Sequence, residues 1–197
     1  MNAAGFADRW VGRAGTIAFV VAALALARVI GGQFPQPIEE VEEPHRVTGT
    51  VGEQASLRAA EITVDEVRLG PELVGPSLAL TTDGVWVVAD VTFTPTLEDA
   101  GLAYVQVVDG EGRIFRATRP GTSTCSASGP GIPLSCSLAI EVPADAVPGA
   151  TLQLAPEVDP RYDNLLELPL GLTEDAVGTA LTGEGVELRP ATPGRTS

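Results

Sequence analysis

Lysine is absent from this chain: all twelve of its basic residues are arginine. The usual amine nucleophile is therefore missing. There is one histidine, His45, and there are two cysteines, Cys125 and Cys136. A zinc centre needs more soft ligands than these supply. A Ser-His-Asp arrangement would have to hold His45 against a nucleophile. His45 sits instead in a solvated stretch beside Glu42, Glu43 and Pro44, which gives it no support. No catalytic role is expected for it, and no cofactor or metal is implied.

Positive charge is scarce as well, with twelve basic against twenty-six acidic residues and a formal net charge of −14. Residues 1–32 hold Asp8, Arg9, Arg13 and Arg28, a net of +2, so the remainder carries −16. Such a domain repels nucleic acid and anionic lipid, which are excluded as expected partners. The excess acid keeps a surface domain dispersed.

The apolar run Ala14 to Ala27 follows Arg9, Trp10 and Arg13, and is followed by Arg28 and then Val29-Ile30-Gly31-Gly32. Two readings stay open. In the first, residues 10–32 form an uncleaved signal-anchor helix, long enough to span about 30 Å of hydrocarbon. Residues 1–9 are then cytoplasmic, because basic flanks stay inside, and Arg28 snorkels to the outer headgroups. In the second, Ala25-Leu26-Ala27 is a signal-peptide cleavage site and the chain is secreted. The run lacks the helix breaker that usually precedes cleavage, which favours the anchor. No cysteine lies near residue 28 to carry a lipid, and Arg9 and Arg13 are not a twin-arginine pair. Residues 33–45, with three prolines and a run of glutamates, read as an extended spacer. The expected location is the cell membrane, single-pass, with the domain outside.

In an exported chain a close cysteine pair reads as a disulfide, Cys125 to Cys136, closing the turn-rich loop SASGPGIPLS. From residue 46 to 172 apolar residues recur with a period of two, the pattern of strands with one buried face. Val85, Val87, Ala89, Val91 and Phe93 share a face. Leu134, Cys136, Leu138, Ile140 and Val142 do the same, as do Leu166, Leu168, Leu170 and Leu172. Weaker strands fall at Arg46–Val51, Ser56–Ala60, Ala103–Val108, Arg113–Ala117 and Ala150–Leu154. In Ile62–Leu69 the apolar phase shifts between Val64 and Val67, which predicts a bulge at Asp65-Glu66. Asp109-Gly110-Glu111-Gly112 is a hairpin signal. Pro169 predicts an edge strand. Glu98–Ala100 and Ala144–Ala146 each fit one helical turn. Residues 173–197 lose the periodicity and read as a mostly disordered tail. The fold class is all-β: an Ig-like β-sandwich of about seven to nine strands over 46–172, preceded by one transmembrane helix.

GVWVVADVTFTPT, YVQVVDGEGRIF, the cysteine pair and SLAIEVPADAVPGATLQL together resemble a bacterial family of exported Ig-like domains of unknown function. Its members are membrane-anchored proteins and lipoproteins, among them relatives of an actinobacterial secreted antigen. The resemblance rests on Val87 to Thr94, Asp109 to Phe115 and Val142-Pro143 to Leu152. It implies an Ig-like sandwich in the cell envelope and no catalytic residues.

Acidic groups at Glu39–Glu43, and Asp159 with Asp163, lack the D-x-D-x-D-G spacing of a calcium loop, so a solvated face or turn is expected there. Trp86 is expected in the core rather than as an exposed anchor. The expected function is a membrane-tethered extracytoplasmic Ig-like interaction module that binds another cell-envelope protein and is not an enzyme. The alternatives are a cleaved secreted form, an envelope hydrolase using two carboxylates, or a carrier of a small ligand or ion. A deep pocket favours the latter two; an exposed apolar patch favours the module.

Overall fold

The computed structural model describes residues 19–29, 43–75, 78–117, 119–162 and 164–194. The chain divides into two units, Met1–Glu43 and Pro44–Ser197. In the first, residues 19–29 are helical and exposed throughout, Phe19, Val21 and Leu24 included. The rest of the expected signal anchor, the N-terminus before it and spacer residues 33–42 lie outside the described residues. Among the described residues no helix is long and apolar enough to cross a membrane.

The second unit is mostly β. Its strands are β1 (His45–Thr48), β2 (Gln54–Ser56), β3 (Ala60–Gly75), β4 (Leu78–Pro95), β5 (Tyr104–Val108), β6 (Ile114–Arg116), β7 (Leu134–Val142), β8 (Thr151–Ala155), β9 (Asn164–Pro169), β10 (Val186–Glu187) and β11 (Thr192–Pro193). One sheet has the order β1-β9-β8-β5-β6. The other runs β10-β3-β4-β7-β11, with β2 beside β3. The alternating residues of β4 and β7 point inward and meet Val107, Leu152, Leu154, Leu166 and Leu168 of the opposite sheet in one core. Period-two patterning thus does what physics asks of it: each strand buries one face against the other layer.

Several local expectations are met in detail. The register between β3 and β4 shifts between Val64 and Glu66, where the apolar phase changes. Asp109 closes the β5–β6 hairpin, its Oδ1 accepting the Glu111 and Arg113 N–H groups at 2.9 and 2.8 Å. Ala144–Ala146 is one 3-10 turn. Trp86 is buried, its Nε1 donating to the Leu80 carbonyl at 2.9 Å.

Others are corrected. Residues 57–59 break the run Ser56–Ala60, because Leu57 N–H turns back to the Ala60 carbonyl. Glu98–Ala100 forms no helical turn; Ala100 bridges Ser128 instead. Strand β9 is interior, between β1 and β8, despite Pro169. Its last bond toward β1 is Gly49 N–H to the Glu167 carbonyl, while Leu170 N–H turns to Ala150 on the other side. The Pro169 nitrogen therefore faces the β1 side just past the end of that strand, where no donor is required.

The β3–β4 hairpin runs well beyond the predicted strands. Pro71 falls in a register break, between Gly70↔Trp86 and Glu72↔Thr81, so β4 loops out residues 82–85 against it. Asp83-Gly84 lies within this break, where Thr82 Oγ1 accepts Gly84 N–H at 3.0 Å.

Residues 173–194 are ordered, contrary to the expected tail. Thr173 caps the helix Glu174–Leu181, its hydroxyl accepting Ala176 N–H, and Val177 and Ala180 face the core. The chain then pairs with β3 through β10, crosses the outer face of the β4 sheet, and pairs with β7 through β11. Val186 and Leu188 cover Leu73, Trp86, Val88 and Ala139 in a second, smaller apolar cluster. The outward residues of β4 are apolar at 86 and 88 and need this cover.

Candidate functional site

Three places concentrate chemistry. The first is the loop end where β4 leads into β5 and residues 122–133 lead into β7. Ala100 and Ser128 exchange backbone hydrogen bonds of 3.1 and 2.8 Å, and Gly131 N–H reaches the Pro95 carbonyl at 2.8 Å. Ser128 Oγ donates to the Ile132 carbonyl at 2.8 Å. Cys125 and Cys136 lie at disulfide distance, with sulfurs 2.05 Å apart, and Cys136 faces the core as its phase predicts. These ties hold two loops rigid, yet Leu97 stays 65 % exposed and Ile132 43 %. Glu98 and Asp99 flank them as an acidic rim.

The second is a row of side chains across the outer face of the five-stranded sheet. Arg116 Nε donates to Gln106 Oε1 at 3.0 Å, and Gln106 Nε2 donates to Gln153 Oε1 at 2.6 Å. Gln153 Nε2 donates to Glu167 Oε1 at 2.7 Å, and Arg46 donates to the same oxygen at 2.6 Å. The polarity of the row is fixed by its ends: arginine only donates, a carboxylate only accepts, so each amide between has one possible orientation. Arg116 also borders a cleft of about 410 Å³ at the seam between the sheets, where Leu102, Tyr104, Val105, Leu138 and Val158 supply apolar walls.

The third is Asp90, buried on the outer face of β4. Arg68 donates to it through Nε and a terminal amine, both at 2.9 Å. Arg189 of the C-terminal segment adds a 2.7 Å bond, and Ser137 Oγ donates as well. Arg189 also reaches Glu66 at 3.2 Å. Asp90, Ser137 and Arg189, with Asp65, Ser135 and Thr192, border a hollow of about 140 Å³. Four donors on one carboxylate leave it structural in character, fastening the C-terminal segment across the sheet.

The residues singled out from sequence are dispersed. His45 opens edge strand β1, exposed, opposite Asn164. Glu43 is exposed; Glu39–Glu42 and Asp163 lie outside the described residues. Asp159 accepts a two-pronged contact from Arg161, whose guanidinium holds its carboxyl below the ordinary range. Burial raises the Asp109 carboxyl, but the N–H groups of Arg113 and Glu111 and the Arg113 guanidinium outweigh this and bring it below its ordinary value. No group of three metal-ligating side chains occurs among the described residues. The sequence did not point to Arg116, Gln106 and Gln153. A glutamine between valines in YVQVV and one between leucines in TLQLA were the available signal: polar residues at the outward phase of otherwise apolar strands.

No family model and no curated protein matches the chain. The family resemblance therefore stands on the motif residues alone. Among solved structures, the chain is similar to the yjhA protein from Bacillus subtilis, with 15 % identity and a TM-score of 0.39 over 60 % of this chain and 98 % of that one. It is likewise similar to an uncharacterized β-sandwich protein from Clostridium difficile 630, with 13 % identity and a TM-score of 0.40 over 64 % and 96 %.

Proposed function

We propose that this protein is a membrane-tethered, extracytoplasmic Ig-like module that binds another cell-envelope protein through its braced loop end. The observation that carries the reading is the exposure of Leu97 and Ile132 on two loops held by a backbone bridge and the Cys125–Cys136 pair. Apolar side chains on a preorganised surface favour association, because little ordering entropy is left to lose on binding. The tether is supported by the apolar run after Arg13 and by the sign change from +2 to −16 along the chain. The acidic rim of Glu98 and Asp99 fits a partner with basic groups around an apolar centre.

A photo-crosslinking residue placed at 97 or at 132 in the intact protein, in its own membrane, tests this. One common crosslinked partner is expected from both sites, and Leu97→Asp should abolish the product at 132 without lowering the melting temperature. Equal products from a distant exposed position such as Glu187, or none from either loop, would overturn the reading.

A further inference from the structure

Arg116 is out of pattern in this protein. Among the described residues of Pro44–Ser197, Arg46, Arg68, Arg113, Arg119, Arg161 and Arg189 each meet a carboxylate within 4.0 Å. Arg116 makes no ion pair with the described residues; its one hydrogen bond among them runs from Nε to Gln106. In a chain of net charge −14, carboxylates are not in short supply. The polar row behind Gln106 holds that Nε bond in one direction and so fixes the guanidinium plane. Gln106 is itself only 2 % exposed, which keeps this anchor out of competition with water. The two terminal amines of Arg116 are left as paired donors, the fork that suits a carboxylate.

The surroundings supply the other half of a ligand site. The cleft beside Arg116 measures about 410 Å³, within the range of about 300–1,000 Å³ for small-ligand sites. Leu102, Val105 and Leu138 form its wall, and Val158, 79 % exposed, overhangs it. On the β7 side of the cleft the backbone is already committed. Ala139 N–H bonds the Thr122 carbonyl, and Thr124 N–H bonds the Ser137 carbonyl. That side of the cleft offers a ligand side chains rather than free backbone groups.

We infer that the seam cleft binds a small amphipathic monocarboxylate, an acyl or similarly apolar body lying against Leu102, Val105, Leu138 and Val158 with its carboxylate on Arg116. This site is separate from the loop end around Leu97, and either can fail without the other.

The test uses the full chain in phosphatidylcholine nanodiscs, with octanoate, octanamide and acetate as probes and empty discs as the blank. Binding is read by saturation-transfer NMR. Octanoate should bind, octanamide about tenfold more weakly or worse, and acetate not detectably, since it has the charge without the body. Arg116→Gln should weaken octanoate by about tenfold or more, the scale of one charge-assisted pair, and leave octanamide unchanged. Val158→Asp, at an exposed position where folding is not at stake, should weaken both octyl probes. Octanamide binding as tightly as octanoate, an Arg116→Gln variant with unchanged octanoate affinity, or octanoate signals no larger than the blank would each overturn the inference.

Discussion

Leu188→Ala separates two pictures of the C-terminal segment. If residues 173–197 were a disordered tail, the substitution would change stability by less than about 0.5 kcal/mol, as surface changes do. In the structure Leu188 is 2 % exposed, and its N–H bonds the Val74 carbonyl at 2.7 Å. It packs with Leu73, Trp86, Val88, Ala139 and Val186. Buried Leu→Ala changes cost about 2–5 kcal/mol, and the cost falls where the site can collapse. This cluster has a single layer of chain above it, so the low end applies, about 2–3 kcal/mol. For a domain of this size that lowers the melting temperature by roughly 4–12 °C. Urea titration followed by far-UV circular dichroism measures it, with Glu187→Ala, an exposed neighbour in β10, as the control expected within about 0.5 kcal/mol. A Leu188→Ala midpoint indistinguishable from that control refutes the reasoning, and with it the view that this segment is an integral layer of the fold.

Other outcomes follow from single contacts. Gly84→Ala would set a Cβ 2.4 Å from the Val142 carbonyl oxygen and 3.1 Å from Pro143 Cα, both backbone, so the bulge must shift. Overpacking of this kind costs about 1–3 kcal/mol, read from the urea midpoint. The folded Asp109 carboxyl lies below its ordinary value, so its contribution is fully present above its unfolded pKa of about 3.9 and is lost as pH falls through the lower folded one. Asp109→Asn should therefore flatten the stability–pH curve below about pH 4, and an unchanged acid slope would contradict this. Reducing Cys125–Cys136 frees a short loop and should cost about 2–3 kcal/mol on the chain-entropy model, seen by comparing urea curves with and without reductant. Alkylation of the unreduced native protein should label neither cysteine.

Features that depend on near neighbours were legible in the chain. Alternation in Val85–Phe93 and Leu134–Val142 called for strands with that face in a core, and both strands bury it there, while Trp86, Val88 and Ala139 on their other faces are buried as well. The slipped phase between Val64 and Val67 required an extra residue in β3, and Asp109-Gly110-Glu111-Gly112 had the chemistry of a tight connection. Whatever depends on what lies across the sheet was set by long-range packing. Residues 186–193 carry no periodicity of their own; they are ordered because β3 and β7 offer edges and Trp86 and Val88 need a cover. Pro169 can sit inside a sheet only because β1 ends beside it. Pro71 and residues 82–85 lie opposite one another in the same hairpin, where a single register break accommodates both. The candidate sites belong to this second class. Arg116, Gln106, Gln153 and Glu167 come from four strands, and Leu97 and Ile132 from two loops. Only pairing between distant segments brings such groups together, and local pattern carries no information about that pairing.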